Sequence, residues 1–194
     1  MTNWNSRMWM DTPQRYGWIS RTLHWTMAYL LVWQFITIAT WKLFGDEPWV
    51  RTVTSLGPGH GMVGLLTFAL VVIRAFWAVI NRQRRPGQAQ SITGRAAVVV
   101  HRLFYVLMVF IPGVALMRAY GSGKGYEPWV PATGVEVEWM MAPANLLHSL
   151  VAWCLSILIV GHIGMALVHA FVIKDGVVSR MAGGAGPARS RRKI

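Results

Sequence analysis

Four uninterrupted apolar stretches decide what this chain can fold into. They run from Ser20 to Phe44, from His60 to Ile80, from about Ala97 to Arg118 (including "FYVLMVFIPGVALM"), and from about Leu146 to Ile173. Each is long enough to cross a bilayer, because about 20 residues rising about 1.5 Å apiece span about 30 Å of hydrocarbon. None shows the period-two alternation of a barrel strand. Helices are the open-chain structures that satisfy their own backbone in lipid. With 54% hydrophobic residues, 13% charged residues and eleven tryptophans, the composition is too apolar for an ordinary soluble domain. The expected fold class is therefore all-α, an integral membrane four-helix bundle. It occupies residues 1–181 as one domain, with helices at about 20–44, 60–80, 97–118 and 146–173. Residues 182–194 form a basic tail expected to be disordered and cytoplasmic.

The formal net charge of +12 is a topology signal and not a nucleic-acid footprint. Arg7 and Arg15 precede the first stretch, Arg82, Arg84, Arg85 and Arg95 separate the second from the third, and Lys174, Arg180, Arg189, Arg191, Arg192 and Lys193 follow the fourth. The other two connections hold Asp46, Glu47, Glu127, Glu136 and Glu138 against only Arg51 and Lys124. Lys and Arg collect on the cytoplasmic side, so both termini and the 81–96 loop are expected inside and the 45–59 and 119–145 loops outside. The tail "GGAGPARSRRKI" is suited to lean on anionic lipid. No cleavable signal is expected, since the first stretch is long and no small-residue cleavage site follows it. Cys154 has no partner for a disulfide within the chain, and the C-x-x-C-H attachment motif is missing. Any haem is held without thioether links.

Six histidines lie in or beside these stretches. On the expected topology His60 and His148 sit at outer depth on different helices, and His24 lies at inner depth. His162 follows His148 by 14 residues, about 21 Å further down and within about 40° of the same face. His169, one heptad on, stays on that face, and His101 opens the third helix at the inner surface. Two histidines are therefore outer and two deeper, so each pair can clamp one iron from opposite sides. Bis-imidazole ligation fills both axial positions of a haem and points to electron transfer. Zinc fits less well, because a structural zinc site needs four ligands at one point. Any single one of these histidines has an ordinary alternative role, hydrogen bonding to a neighbouring helix or sitting at the interface. Four at matched depths are harder to assign that way, since ionisable groups in lipid are costly and usually functional.

Smaller features agree. Gly64 lies one turn below His60, and Gly161 and Gly164 flank His162, where a missing side chain admits a flat macrocycle or, equally, close helix packing. Arg74, 14 residues after His60, reaches inner depth, suited to a haem propionate or to snorkelling toward the headgroups. Pro112 is expected to kink the third helix.

The segments "RYGWISRTLHW", "GHGMVGLL", "VVIRAFW", "LLHSLVAW", "GHIGMALVH" and "KDGVVSRM" resemble the bacterial di-haem cytochrome b561 family, from about Tyr16 to Met181. The resemblance implies two b haems exchanging electrons with ubiquinone or another membrane quinone, in a multi-pass protein of the bacterial inner (cytoplasmic) membrane. Carried over by position, His60 and His148 ligate the outer haem, and His24 with His162 the inner one. Depth alone matches His169 to His24 as well as His162. The family pattern selects His162 and leaves His169 and His101 for inner propionate or quinone contacts. The family is associated with superoxide oxidation at the outer face, so superoxide or a redox protein is the implied donor. Two further features stand apart from the shortest members: the extension "MTNWNSRMWMDT", read as an interfacial anchor, and the Ala119–Asn145 loop, read as a cover for the outer haem or a donor contact. Two rival readings remain at this point: a cytochrome b anchor subunit of a larger respiratory complex, and a non-haem proton or metal transporter, which the lack of inverted repeats disfavours. Membrane lipid is a necessary partner, and a homodimer is open.

Overall fold

The computed structural model describes residues 6–87 and 91–184. Where the sequence is apolar without interruption the chain is helical, and glycine or a polar cap marks most of the ends. After a short turn α1 (Ser6–Trp9), helix α2 spans Trp18–Phe44 and stops at Gly45, whose φ of 71° is a conformation only glycine adopts cheaply. A short helix α3 (Pro48–Thr54) crosses the following connection. Helix α4 covers His60–Ile80. Helix α5 covers Ile92–Gly121 and opens on Ser91, whose hydroxyl accepts the Gly94 N–H at 3.2 Å, as an N-cap should. Helix α6 (Glu138–Leu167) continues into a wider π-helical stretch, Val168–Ile173. Lys174 ends it in the left-handed region with φ 55°, and a last helix α7 spans Val177–Ala182. No strand occurs among the described residues.

The expected four-helix, all-α class is found, and α2, α4, α5 and α6 with its π-helical extension are each long and apolar enough to cross a membrane. Three boundaries move by three residues or more. Helix α5 runs over 92–121 instead of 97–118, and α6 begins at Glu138 instead of near residue 146. The loop expected at 119–145 thus contracts to 122–137. Pro143, the sixth residue of α6, removes one backbone donor without ending the helix. Both Pro112 and Pro143 are carried inside their helices. The expected disordered tail begins one residue early, since Ala182 still belongs to α7; residues 185–194 lie outside the described residues.

Each spanning helix contributes one residue to the core cluster: Met27, Val71, Met108 and Leu155. Helix α5 packs on both α4 and α6, and α4 packs on α2. No comparable backbone packing joins α6 to α2 or α4 among the described residues. A slot is therefore left where side chains, and not backbones, bridge the bundle. Outward the helices display large apolar groups such as Phe76, Ile157 and Val160. Lipid accepts these without penalty, so the bundle is held by core packing and by hydrogen bonds between helices.

The N-terminal segment is not merely laid on the surface. Asp11 is fully buried at its side chain; it accepts the Gly17 N–H at 2.8 Å and Arg85 Nε at 3.2 Å. Its own N–H donates to the buried Asn81 at 3.3 Å. The Tyr16 N–H reaches the Arg180 carbonyl at 3.3 Å. Burial pushes the Tyr16 phenol above its ordinary pKa, against the opposing pull of Arg85. The segment before α2 thus ties α4, α2 and α7 together, with Trp9 edge-on to Trp18 at 5.3 Å. Trp4 lies outside the described residues.

Candidate functional site

Across the slot, imidazoles face each other in couples. His60, the first residue of α4, and His148 on α6 have ring centroids 6.0 Å apart. His24 on α2 and His162 on α6 are 6.3 Å apart. Both couples share α6, because 14 residues are nearly four turns and return a side chain to the same face about 21 Å along the axis. With a metal–imidazole bond of about 2 Å and about 1 Å from ring centre to nitrogen, a metal midway between two imidazoles holds their centroids about 6 Å apart. The spacing of both couples therefore fits two-sided ligation.

Other surroundings test the same fit. His148 Nδ1 is buried without a close hydrogen bond among the described residues, the Ile111 backbone standing beside it. A Cβ added at Gly161 or Gly164 would meet nothing within 4 Å, and one at Gly64 would meet only the Gln34 amide nitrogen at 3.9 Å. None of the three therefore serves tight helix contact. No cluster of three or more His, Cys, Asp or Glu among the described residues forms a metal site by itself. The donor set thus suits a macrocycle that brings its own equatorial ligands and needs only two axial ones.

Around the His60–His148 couple, the Gln34 amide nitrogen lies 3.4 Å from His60 Nε2 and donates to the His60 carbonyl at 3.2 Å. Arg118 Nε donates to Asn145 Oδ1 at 2.6 Å at the same end. Around the other couple, His101 lies edge-on to His162 at 5.3 Å and Phe104 at 5.5 Å. His101 Nδ1 donates to the Ala97 carbonyl at 2.6 Å. Arg74 sits where three helices converge: its Nε donates to Tyr105 Oη at 3.3 Å and its Nη1 to the Ser20 carbonyl at 3.5 Å. Trp77 Nε1 donates to Ser20 Oγ at 3.0 Å.

His169 goes elsewhere. It makes no ring contact with His24; its Nδ1 donates to Asp175 Oδ2 at 2.8 Å, and Asp175 Oδ1 accepts the Val177 N–H at 3.1 Å. The helical spacing that keeps His169 on the His162 face is interrupted by the π-helical turn beginning at Val168, which widens the helix where His169 sits. The ring that stands opposite His24 is that of His162.

Gln34, Phe104, Tyr105, Ser20 and Arg118 escape a reading based on histidine and arginine spacing. A signal was present for two of them, since a glutamine and a tyrosine inside apolar runs each need a partner in lipid. The pairing of Arg118 with Asn145 required knowing that α6 starts at Glu138.

A four-helix membrane protein whose spanning helices hold imidazole couples at two levels falls, by fold and site, in the class of b-type membrane cytochromes. The sequence model of the family described as "Prokaryotic cytochrome b561" matches residues 15–184. Among curated relatives, "Cytochrome b561 homolog 2" of Escherichia coli is 33% identical over 180 residues, covering 89% of this chain and 94% of that protein. "Cytochrome b562" of Cereibacter sphaeroides is 28% identical over 168 residues, covering 82% and 90%. The chain belongs to the prokaryotic cytochrome b561 family, and with four spanning helices it is a multi-pass membrane haem b protein, a character consistent with electron transfer.

Proposed function

We propose that the protein binds two b haems, one held by His60 and His148 and the other by His24 and His162, and that it passes electrons across the bilayer between an outer donor and the quinone pool. One observation carries the reading: α6 presents two histidines, 14 residues apart, each facing an imidazole of another helix at about 6 Å. When bound, the haems supply reversible one-electron redox chemistry.

The chain's own residues do the rest. The four imidazoles fix ligand position from helices locked by the Met27, Val71, Met108 and Leu155 core. Gln34 braces His60, while His101 and Phe104 brace His162, as groups around a ligand must if its orientation is to be fixed. Arg74, held by Tyr105 and Ser20, offers positive charge for a propionate at the His24–His162 level. His169, bound to Asp175, is a candidate for quinone contact at the same end. A lipid-soluble quinone is the partner best placed to reach a protein with so little surface outside the membrane. At the opposite end Arg118 puts positive charge near His148, which favours a small anionic donor such as superoxide. The protein then sits in a bacterial inner membrane with both termini on the cytoplasmic side, following the distribution of Lys and Arg.

The test is ligand replacement with quantitative haem analysis. Wild-type protein is expected to hold about two haems per chain with a reducible b-type spectrum. His60→Ala or His148→Ala should remove one, and His24→Ala or His162→Ala the other, each leaving a distinct remaining spectrum. Full haem content in His162→Ala would transfer that role to another residue, and a colourless, folded protein would overturn the reading.

A further inference from the structure

At the end of the bundle that carries His24, the first two turns of α2 form a groove against α7. Trp18, Arg21, Thr22, Trp25 and Thr26 line it from α2, and Met181 and Ala182 close it, around a volume of about 420 Å³. Positions 18, 21, 22, 25 and 26 follow the i, i+3, i+4, i+7, i+8 spacing and so share one helix face. The groove is built, not a gap: Trp25 Nε1 donates to the Met181 carbonyl at 3.2 Å. The Arg21 guanidinium lies over Gly183, where a Cβ would collide with its Nη1. Gly183 has φ 110°, so glycine is required there both by backbone and by space.

Arg21 is left without a counter-ion. Its buried Nε has no hydrogen-bond partner, and no ion pair reaches it among the described residues. Asp11 and Asp175 are engaged by other groups, Arg85 and His169 respectively. Residues 1–5, 88–90 and 185–194 contain no aspartate or glutamate. A partly buried guanidinium without a partner is costly, so an anion from outside the chain is the natural complement.

The surroundings define that anion. Trp18 and Trp25 are half exposed, as aromatic rings at headgroup level are. Beyond the groove, exposed Tyr29, Val32 and Ile36 continue down the same side of α2 and offer an apolar track. We infer that this groove binds the phosphate of an anionic phospholipid, with Arg21 as its cation, the Thr22 and Thr26 hydroxyls as further donors, and the acyl chains lying along Tyr29, Val32 and Ile36. This site does not depend on the haem assignment.

The test is native mass spectrometry of the haem-loaded protein released from bilayer discs containing equal amounts of phosphatidylglycerol and phosphatidylcholine. Wild type is expected to retain one phosphatidylglycerol in preference to phosphatidylcholine. Arg21→Gln should lower that preference about fivefold, the worth of one basic residue at an anionic surface, while Arg21→Lys keeps most of it and Arg51→Gln, at the other end, leaves it unchanged. An unaltered haem spectrum in Arg21→Gln shows that the fold persists. Equal retention of the two lipids, an unchanged preference in Arg21→Gln, or displacement of the lipid by excess inorganic phosphate would each overturn the inference.

Discussion

Asp11 and Asp175 lie toward the same end of the molecule, and their surroundings give them opposite energetic weights. Asp11 is enclosed, with the buried Gly17 N–H and Arg85 as its partners. Asp11→Ala strands that N–H and a guanidinium, and should cost about 1.5–3 kcal/mol, as lost hydrogen bonds to a charged group do; a thermal melt in detergent measures it. Asp175 is more open. Burial pushes its carboxyl up, but the Val177 N–H and the His169 ring outweigh that and hold it below the ordinary carboxylate range. A depressed folded pKa means that the ionised form stabilises the fold above the unfolded pKa and loses that contribution as pH falls through the folded value. Asp175→Asn should therefore melt slightly below wild type at neutral pH with haem content unchanged, and the gap should close only at pH values under about 4. A gap that persists in stronger acid would remove the pair from the stability account.

At the scale of elements, the connection between α5 and α6 is more ordered than its length suggested. Tyr126 and Val130 exchange backbone hydrogen bonds at 2.8 and 2.9 Å, and the Thr133 and Gly134 N–H groups both reach the Gly123 carbonyl. Tyr126 leans on Gly61, the residue after His60: a Cβ there would come within 2.8 Å of the phenol oxygen. The loop therefore rests on the end of α4 that carries a facing histidine. Gly61→Val should push Tyr126 away and loosen the connection, read as faster proteolysis within 122–137 while the His24–His162 level keeps its spectrum. Equal cleavage rates would mean that the loop holds itself without α4. The slot between α6 and its neighbours has the same logic in reverse. Helices that met backbone to backbone there would leave no room for imidazole couples, and α5 prevents it by packing on both α4 and α6.

For the whole molecule, charge is distributed by end as well as by number. Seven acidic residues face nineteen basic ones; four of the seven lie in the two connections at the His60 end, and a fifth, Glu138, opens α6 there. Arg118 stands out at that end beside His148. If a small anion donates electrons there, Arg118→Gln should slow reduction by superoxide severalfold at low salt, and the difference should shrink as ionic strength rises. A salt-independent rate would remove Arg118 from the entry path. The sequence by itself determined the four spanning helices, the family resemblance and the 14-residue spacing of His148 and His162, because apolar length and helical repeat are properties of consecutive residues and survive without knowledge of the partners. It left His162 and His169 unresolved on depth, placed α6 eight residues late, and gave no hint of the Asp11 clamp, the Tyr126–Gly61 contact or the groove at Arg21. Those were decided only in the tertiary structure, since each depends on which distant residue stands opposite: a carboxylate that draws His169 away, a glycine that admits Tyr126, or a helix end that comes to rest over an arginine.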